Sequence, residues 1–399
     1  MSIPTCSLGW WRSLSSVIRV PSSDPAFAWR LALFVALGVQ LPFLPLWFAA
    51  RGLDAGAIGL VLALPMVVRV VAIPLATRSA DRHDALRLAI VVAAVATVLG
   101  YGALALAQGA LAIALVFALA SVAYTPIMPL TDSYALRGLG RLGRAYGPVR
   151  LWGSAAFIVG SFIAGFATDL IPARHLIWLI VAASAITAAA ALALEPVQTS
   201  ASATEPPPRR GLLRDPAFIA VMAAASLIQA SHAVYYGFSA LQWRAAGLDG
   251  TTIAALWALG VIAEIVLFAV QSRLPPFLSP PVLLLIGALG GAVRWSAMAL
   301  DPPVALLPAL QLLHAATFGA THLGMIGFVA ANAPRGQGAT AQGYLAVALG
   351  TTMAGATALS GVLYGAFGGR AYAAMALAAV AGGVAAYIAH RVTRRVAAV

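Results

Sequence analysis

Phe43 to Arg69 reads FLPLWFAARGLDAGAIGLVLALPMVVR, and Phe238 to Glu264 reads FSALQWRAAGLDGTTIAALWALGVIAE. Both stretches hold an aromatic-rich helical end, a Gly-Leu-Asp turn and a second apolar run, at a constant offset of 195 residues (43 to 238, 69 to 264). This is a parallel internal repeat. It sets Arg69 and Glu264 at equivalent depths in two halves of the chain, charged in both and opposite in sign.

Composition explains what kind of halves these are. The 399 residues are 62% hydrophobic and only 9% charged, with a mean hydropathy of +0.93. A soluble domain carries about a quarter of its residues as charges, so the chain reads as a polytopic membrane protein. Windows of about 20 residues, the length that crosses the hydrocarbon core as helix, give twelve spans. They are 26–49, 57–79, 85–106, 110–135, 148–170, 175–194, 216–240, 251–273, 281–300, 303–330, 339–366 and 371–391, numbered 1 to 12 below. The apolar runs are long and Ala/Leu-rich without period-2 alternation, which excludes a β-barrel. Between spans 6 and 7 lies Thr204-Glu205-Pro206-Pro207-Pro208-Arg209-Arg210, which can neither bury itself nor continue a helix. The expected organisation is therefore a tail (1–25), a six-helix bundle (26–194), a linker (195–215), a second six-helix bundle (216–391) and a short tail (392–399).

All 24 basic residues are arginine. In a soluble chain a net charge of +12 would suggest a nucleic-acid partner; here most arginines fall in short loops and read as topology instead. Placing both termini in the cytoplasm gives that side 17 arginines, from Arg12, Arg19 and Arg30 through Arg82 and Arg87 to Arg395, and leaves Arg51, Arg174, Arg244 and Arg370 opposite. That bias obeys the positive-inside rule, and an odd span count would scramble it. Residues 1–25 lack the apolar core of a cleaved signal peptide, so span 1 is expected to act as an uncleaved insertion signal. The single cysteine, Cys6, excludes an internal disulfide framework or a cysteine metal site.

Charges inside spans are costly, roughly 2.5 to 3.5 kcal/mol each at mid-bilayer on insertion scales, unless they face a partner or a wet cavity. This chain keeps Arg69, Asp132, Arg150, Glu264 and Arg294 there, with His232, His314 and His322. Each has a bland alternative. Arg150 can snorkel to the nearer face, Asp132 can tether the loop it precedes, and Arg69, Glu264 and Arg294 can form structural pairs. His314 and His322 stand at i and i+8 with Phe318 between them, about 12 Å apart on a straight helix and only loosely on one face, which excludes a shared metal ion. Phe157, Tyr235, Tyr236 and Phe318 are cavity candidates against a background in which such aromatics are ordinary core. No HExxH, GxSxG or paired aspartates point to an intramembrane enzyme.

Two six-helix halves repeated in parallel, with the site between them near the midplane, is the plan of the major facilitator superfamily. Phe43-Leu44-Pro45-Leu46-Trp47, Pro129-Leu130-Thr131-Asp132, the run YGPVRLWGS at 146–154, HAVYYGFSA at 232–240, Val293-Arg294-Trp295 and LHAATFG at 313–319 together resemble the phenylpropionate permease family of that superfamily. More distantly the pattern is similar to lactose permease, a proton symporter. The resemblance implies alternating access driven by the proton gradient, with no cofactor, in a bacterial inner-membrane protein acting as a monomer. It also implies site roles for Asp132, Arg150, Glu264, Arg294 and His314. Two departures stand out: the second helix 10 carboxylate is Thr317 here, and the sugar-stacking tryptophan is Phe157, which argues for an apolar ring in place of a disaccharide. The superfamily's loop 2–3 signature survives as Asp81-Arg82 with Arg87, a gate contact or ordinary loop charges, while Thr77 and Asp84 replace its glycines.

The expected function is proton-coupled uptake of a small aromatic carboxylate. An arginine can grip the carboxylate while the ring is buried, and Glu264, then Asp132, is the expected proton carrier. Sugar or nucleoside proton symport, or export of drugs or metabolites, are the alternatives.

Overall fold

The computed structural model describes residues 25–141, 147–196, 211–334 and 337–397. Among them the fold is all helical. Eleven stretches are long and apolar enough to cross a membrane, and the last, Thr340–Arg394, contains two helices, Gly338–Phe367 and Tyr372–Ala397, divided at Gly368–Ala371. Twelve passes result.

The repeat is visible at atomic detail in the turn that announced it. Gly52 and Gly247 both take the left-handed backbone, with φ of +83° and +87°. In one half Gly52 N–H donates to the Ala49 carbonyl and Leu53 N–H to that of Phe48; in the other Gly247 donates to Arg244 and Leu248 to Trp243. These are matching helix-stop motifs, which favour glycine because it has no Cβ to clash. The aspartates then start the next helices, Asp54 accepting from Ala57 N–H at 2.8 Å and Asp249 from Thr252 N–H at 2.6 Å.

Among the described residues three spans are broken. Span 4 runs as Ala110–Tyr124 and Ile127–Arg141, split at Thr125-Pro126, and its repeat equivalent, span 10, runs as Leu307–Leu312, a π-helical turn Ala315–Ala320, and Thr321–Asn332. Span 7 breaks at Ser231-His232 between Pro216–Ala230 and Ala233–Ala245. Interrupted helices at membrane depth are tolerated where they line a cavity or pack within protein.

Within each half, span 1 (Pro25–Ala50) packs on span 5 (Gly147–Leu170), and span 7 packs equivalently on span 11 (Gly338–Phe367). The halves meet where span 2 (Ala55–Arg82) crosses span 11 and where span 5 crosses span 8 (Gly250–Val270), the same pair of contacts under exchange of halves. Both crossings are glycine on glycine. A Cβ on Gly59 would stand 2.6 Å from Gly361 Cα, and one on Gly250 would stand 2.2 Å from the Gly165 carbonyl oxygen. Helices can approach this closely only with small residues at the contact.

One turn beyond Gly165, Asp169 fastens the second crossing. Its Oδ1 accepts from Arg244 Nη1 and from Gly250 N–H, both at 2.7 Å, and its Oδ2 from Thr251 N–H at 3.1 Å and the Thr251 hydroxyl at 3.3 Å. Arg244 Nη2 also donates to the Thr168 carbonyl at 2.9 Å. A carboxylate of one half thus caps the positive end of a helix of the other, at the arginine-poor end of the bundle. Charge-assisted bonds contribute about 1.5 to 3 kcal/mol when well buried and less where solvent screens them, as at this half-exposed pair. Asp169→Ala should therefore open this end in a fraction of molecules larger by roughly 5- to 30-fold, or about 1 to 2 kcal/mol. Distance distributions between spin labels at Gln108 and Asp301, on loops of the two halves, would lengthen; an unchanged distribution would defeat the clamp.

The arginine-rich end is tied within the N-terminal half. Arg30, counted from the sequence as a loop charge enforcing topology, is instead 3% exposed within span 1 and donates to Asp132 Oδ1 at 3.1 Å. Arg87 donates to the carbonyls of Leu194 and Leu192 and so closes the end of the span 6 helix Leu176–Leu192. Asp81 and Arg82 are exposed at the end of span 2, and Asp84, standing where the superfamily carries glycine, has a φ of +47°.

Candidate functional site

The centre of the C-terminal half is built around Arg294, which is fully buried on span 9 (Pro280–Ala299). Its guanidinium lies 4.7 Å from the Tyr235 ring centroid and 4.5 Å from that of Trp295. Nη2 donates to Gln311 Oε1 at 2.6 Å, and Nη1 donates to His314 Nδ1 at 3.2 Å and to Thr317 Oγ1 at 3.4 Å. Nε has no hydrogen-bond partner. Among the described residues no carboxylate approaches Arg294 within 4.0 Å. Its direct partners among the described residues are neutral acceptors and aromatic faces, so the counter-charge that normally offsets burial of a cation stands one residue away, on Glu264 beyond His314.

Two donor chains leave this cation. A guanidinium can only donate, so His314 accepts at Nδ1 and carries its proton on Nε2, which faces Glu264 Oε2 at 3.8 Å. His232, at the break in span 7, stands 3.0 Å from the Gln229 carbonyl through Nδ1 and 3.0 Å from Thr317 Oγ1 through Nε2. The carbonyl must be given a proton, so Nδ1 donates there and the Thr317 hydroxyl donates to Nε2. The break itself is pinned by Trp295 Nε1, which donates to Ser231 Oγ at 2.9 Å.

The π-helical turn corrects the expected geometry of the histidines on span 10. On a straight helix His314 and His322 would share a face only loosely; the wider turn rephases them. His314 stacks on Phe318 at 5.2 Å and 17°, and Phe318 on His322 at 6.2 Å and 1°, with Phe268 of span 8 5.9 Å from His322. Three parallel rings form a column beside Glu264. Single π-turns inside α-helices are frequent at functional sites.

The structure brings together Glu264, Arg294, His314, His232, Tyr235, Tyr236 and Phe318, with His322 at the end of the column. Tyr236 stacks on His232 at 5.5 Å. It does not bring Asp132 into this cluster, since Asp132 pairs with Arg30 of its own half. Arg69 is exposed, within electrostatic reach of Tyr124, and Phe157 is half-buried against an apolar core to which both halves contribute. The side chain of Arg150, on the span 5 helix, lies outside the described residues. Sequence reasoning missed Gln311, which holds the guanidinium, and the Asp169–Arg244 clamp. Gln311 carried a faint signal, being a lone amide three residues before His314 in an apolar span.

The model of the MFS_1 like family matches residues 30–375, most of the chain. The chain belongs to the MFS_1-like family of transporters. As a family member it is 31% identical over 354 residues to the "Probable 3-phenylpropionic acid transporter" of Escherichia coli (strain K12), covering 87% of this chain and 92% of that one. It is 30% identical over 280 residues to the maltose permease of Geobacillus stearothermophilus, covering 68% and 70%. In fold it is similar to the crystal structure of the nucleoside transporter NupG, with a TM-score of 0.79 and 16% identity over 92% of this chain and 98% of that one. This MFS_1-like chain is accordingly a multi-pass secondary transporter of a small molecule and not an enzyme.

Proposed function

We propose that the protein imports a small aromatic carboxylate, of the phenylpropionate type, together with protons across a bacterial inner membrane, working as a monomer with both termini in the cytoplasm. The observation that carries this reading is the buried Arg294, none of whose direct hydrogen-bond partners among the described residues is a carboxylate. A transported anion can bond the guanidinium directly, and the rings of Tyr235, Tyr236 and Phe318 nearby suit the apolar part of such a molecule. The Escherichia coli relative's name fits the same chemistry. With the arginine-rich end cytoplasmic, the Asp169 clamp closes the outer end and the carrier faces inward. Asp81 and Arg82 then stand at the cytoplasmic end of span 2, where a gate contact would form in the opposite state.

Sugar or nucleoside symport is the second reading, favoured by the maltose permease relative. Uptake into proteoliposomes decides between them. With an inward proton gradient, 3-phenylpropionate should accumulate while maltose and uridine do not; accumulation of either neutral solute without the acid would overturn the anion reading.

A further inference from the structure

The two nitrogens of His314 face two opposite charges, Nδ1 at 3.2 Å from Arg294 Nη1 and Nε2 at 3.8 Å from Glu264 Oε2. We infer that His314 is the group that carries the coupled proton, and that the substrate's carboxylate opens Nδ1 to that proton by drawing Arg294 Nη1 onto itself. The inference rests on the aromatic-anion reading and names the coupling device of that same site.

Three features of the geometry carry it. First, Nδ1 is occupied while Arg294 donates to it, because the guanidinium has no lone pair and the nitrogen can accept only one hydrogen. Second, Nη1 is the loosely held arm: its bonds measure 3.2 and 3.4 Å, whereas Gln311 anchors Nη2 at 2.6 Å. A carboxylate can take Nη1 without dislodging the rest of the guanidinium. Third, Nε2 already faces Glu264 Oε2 at 3.8 Å, so a proton gained at Nδ1 makes an imidazolium with an anion beside it.

Charge balance then couples the two cargoes. Empty, the site holds Arg294 as a cation, His314 neutral and Glu264 as an anion. Loaded, it gains the substrate's negative charge and one proton, which adds to the lone pair at Nδ1. The result is two neutral pairs, guanidinium with carboxylate and imidazolium with Glu264. Relative to the empty site, substrate alone adds one negative charge, the proton alone one positive and the two together none, and an uncompensated addition is disfavoured in a low-dielectric interior. The groups facing His314 from each packed element are His232 of span 7, with its ring at 5.5 Å and Tyr236 stacked behind it, Glu264 of span 8, Arg294 of span 9, and Phe318 then His322 on its own span. Among these described groups Arg294 and Glu264 are the ones that carry fixed charge. His232 already donates through Nδ1 and accepts at Nε2, so the anion does not free a nitrogen there.

Calorimetric titration of the purified full chain with 3-phenylpropionate, in buffers of different ionisation enthalpy, counts protons taken up on binding. The wild type should take up about one, with Kd weakening about tenfold per pH unit in the alkaline range, as one linked proton requires. H314Q should bind with a Kd flat in pH and take up almost none. Histidine-labelled protein at about pH 8, where surface imidazoles are neutral, should gain one imidazolium signal on saturation, retained in H232Q and H322Q. Binding by the wild type without that signal overturns the inference and leaves the function reading standing, as does full proton uptake by H314Q. If H314Q does not fold, the wild-type, H232Q and H322Q spectra decide alone. Failure of the wild type to bind 3-phenylpropionate removes the function reading, and the inference falls with it.

Discussion

Arg294→Lys is expected to lower kcat/KM for 3-phenylpropionate uptake by roughly 30- to 150-fold. Lysine keeps the positive charge, yet it replaces a planar fork by a single ammonium that cannot reach Gln311, His314 and Thr317 from one rigid frame. Losing one such well-buried charge-assisted bond, at about 2 to 3 kcal/mol, sets the scale. The stacking of the guanidinium over Tyr235 and Trp295 goes as well. Uptake into proteoliposomes, normalised to folded protein by gel filtration, measures the loss. A parallel arm tests what the arginine reads. The neutral amide of 3-phenylpropionate should not be taken up by the wild type, because an amide brings no counter-charge to the buried cation. Transport of the amide at the rate of the acid, or a lysine variant with undiminished uptake, would defeat the role assigned to Arg294.

How much of this was legible beforehand depends on whether the physics is local. The Gly-Leu-Asp turns announced themselves because a helix stop and a helix start need particular residues in a fixed order: Gly52 and Gly247 for a left-handed φ, Asp54 and Asp249 for a cap. Span lengths were equally local, set by the thickness of hydrocarbon. The breaks were not. Nothing in LHAATFG dictates a π-turn, and without it His314, Phe318 and His322 do not line up; helix periodicity alone gives the loose face first expected. Cross-half contacts were also hidden. Arg244 and Asp169 are 75 residues apart, and each alone reads as an ordinary loop-end charge. Arg30 was misleading for a related reason, since a charge near a span end reads as topology until a partner such as Asp132 is known to face it across the bundle.

Glu264→Gln is expected to abolish accumulation of substrate driven by a pH gradient, lowering it by more than about 100-fold, while exchange of labelled for unlabelled substrate across equilibrated membranes persists. The separation follows from charge. Glutamine removes the anion that His314 Nε2 faces at 3.8 Å, so the empty site is left with the uncompensated cation of Arg294. Stranding one member of a buried charge pair costs about 3 to 5 kcal/mol. The empty carrier must cross the closed state to return for another load, and it would do so bearing that cost. The loaded carrier bears none of it, because the substrate's carboxylate neutralises Arg294 and no proton is then required. Exchange uses only the loaded crossing, and net uptake uses both. Ordinary loss of folding or of substrate affinity would depress the two together, so the ratio of exchange to net uptake is the diagnostic quantity. Retained uphill transport in Glu264→Gln would move the counter-charge to another carboxylate, with Asp132, already paired to Arg30, as the first to test in the same two assays.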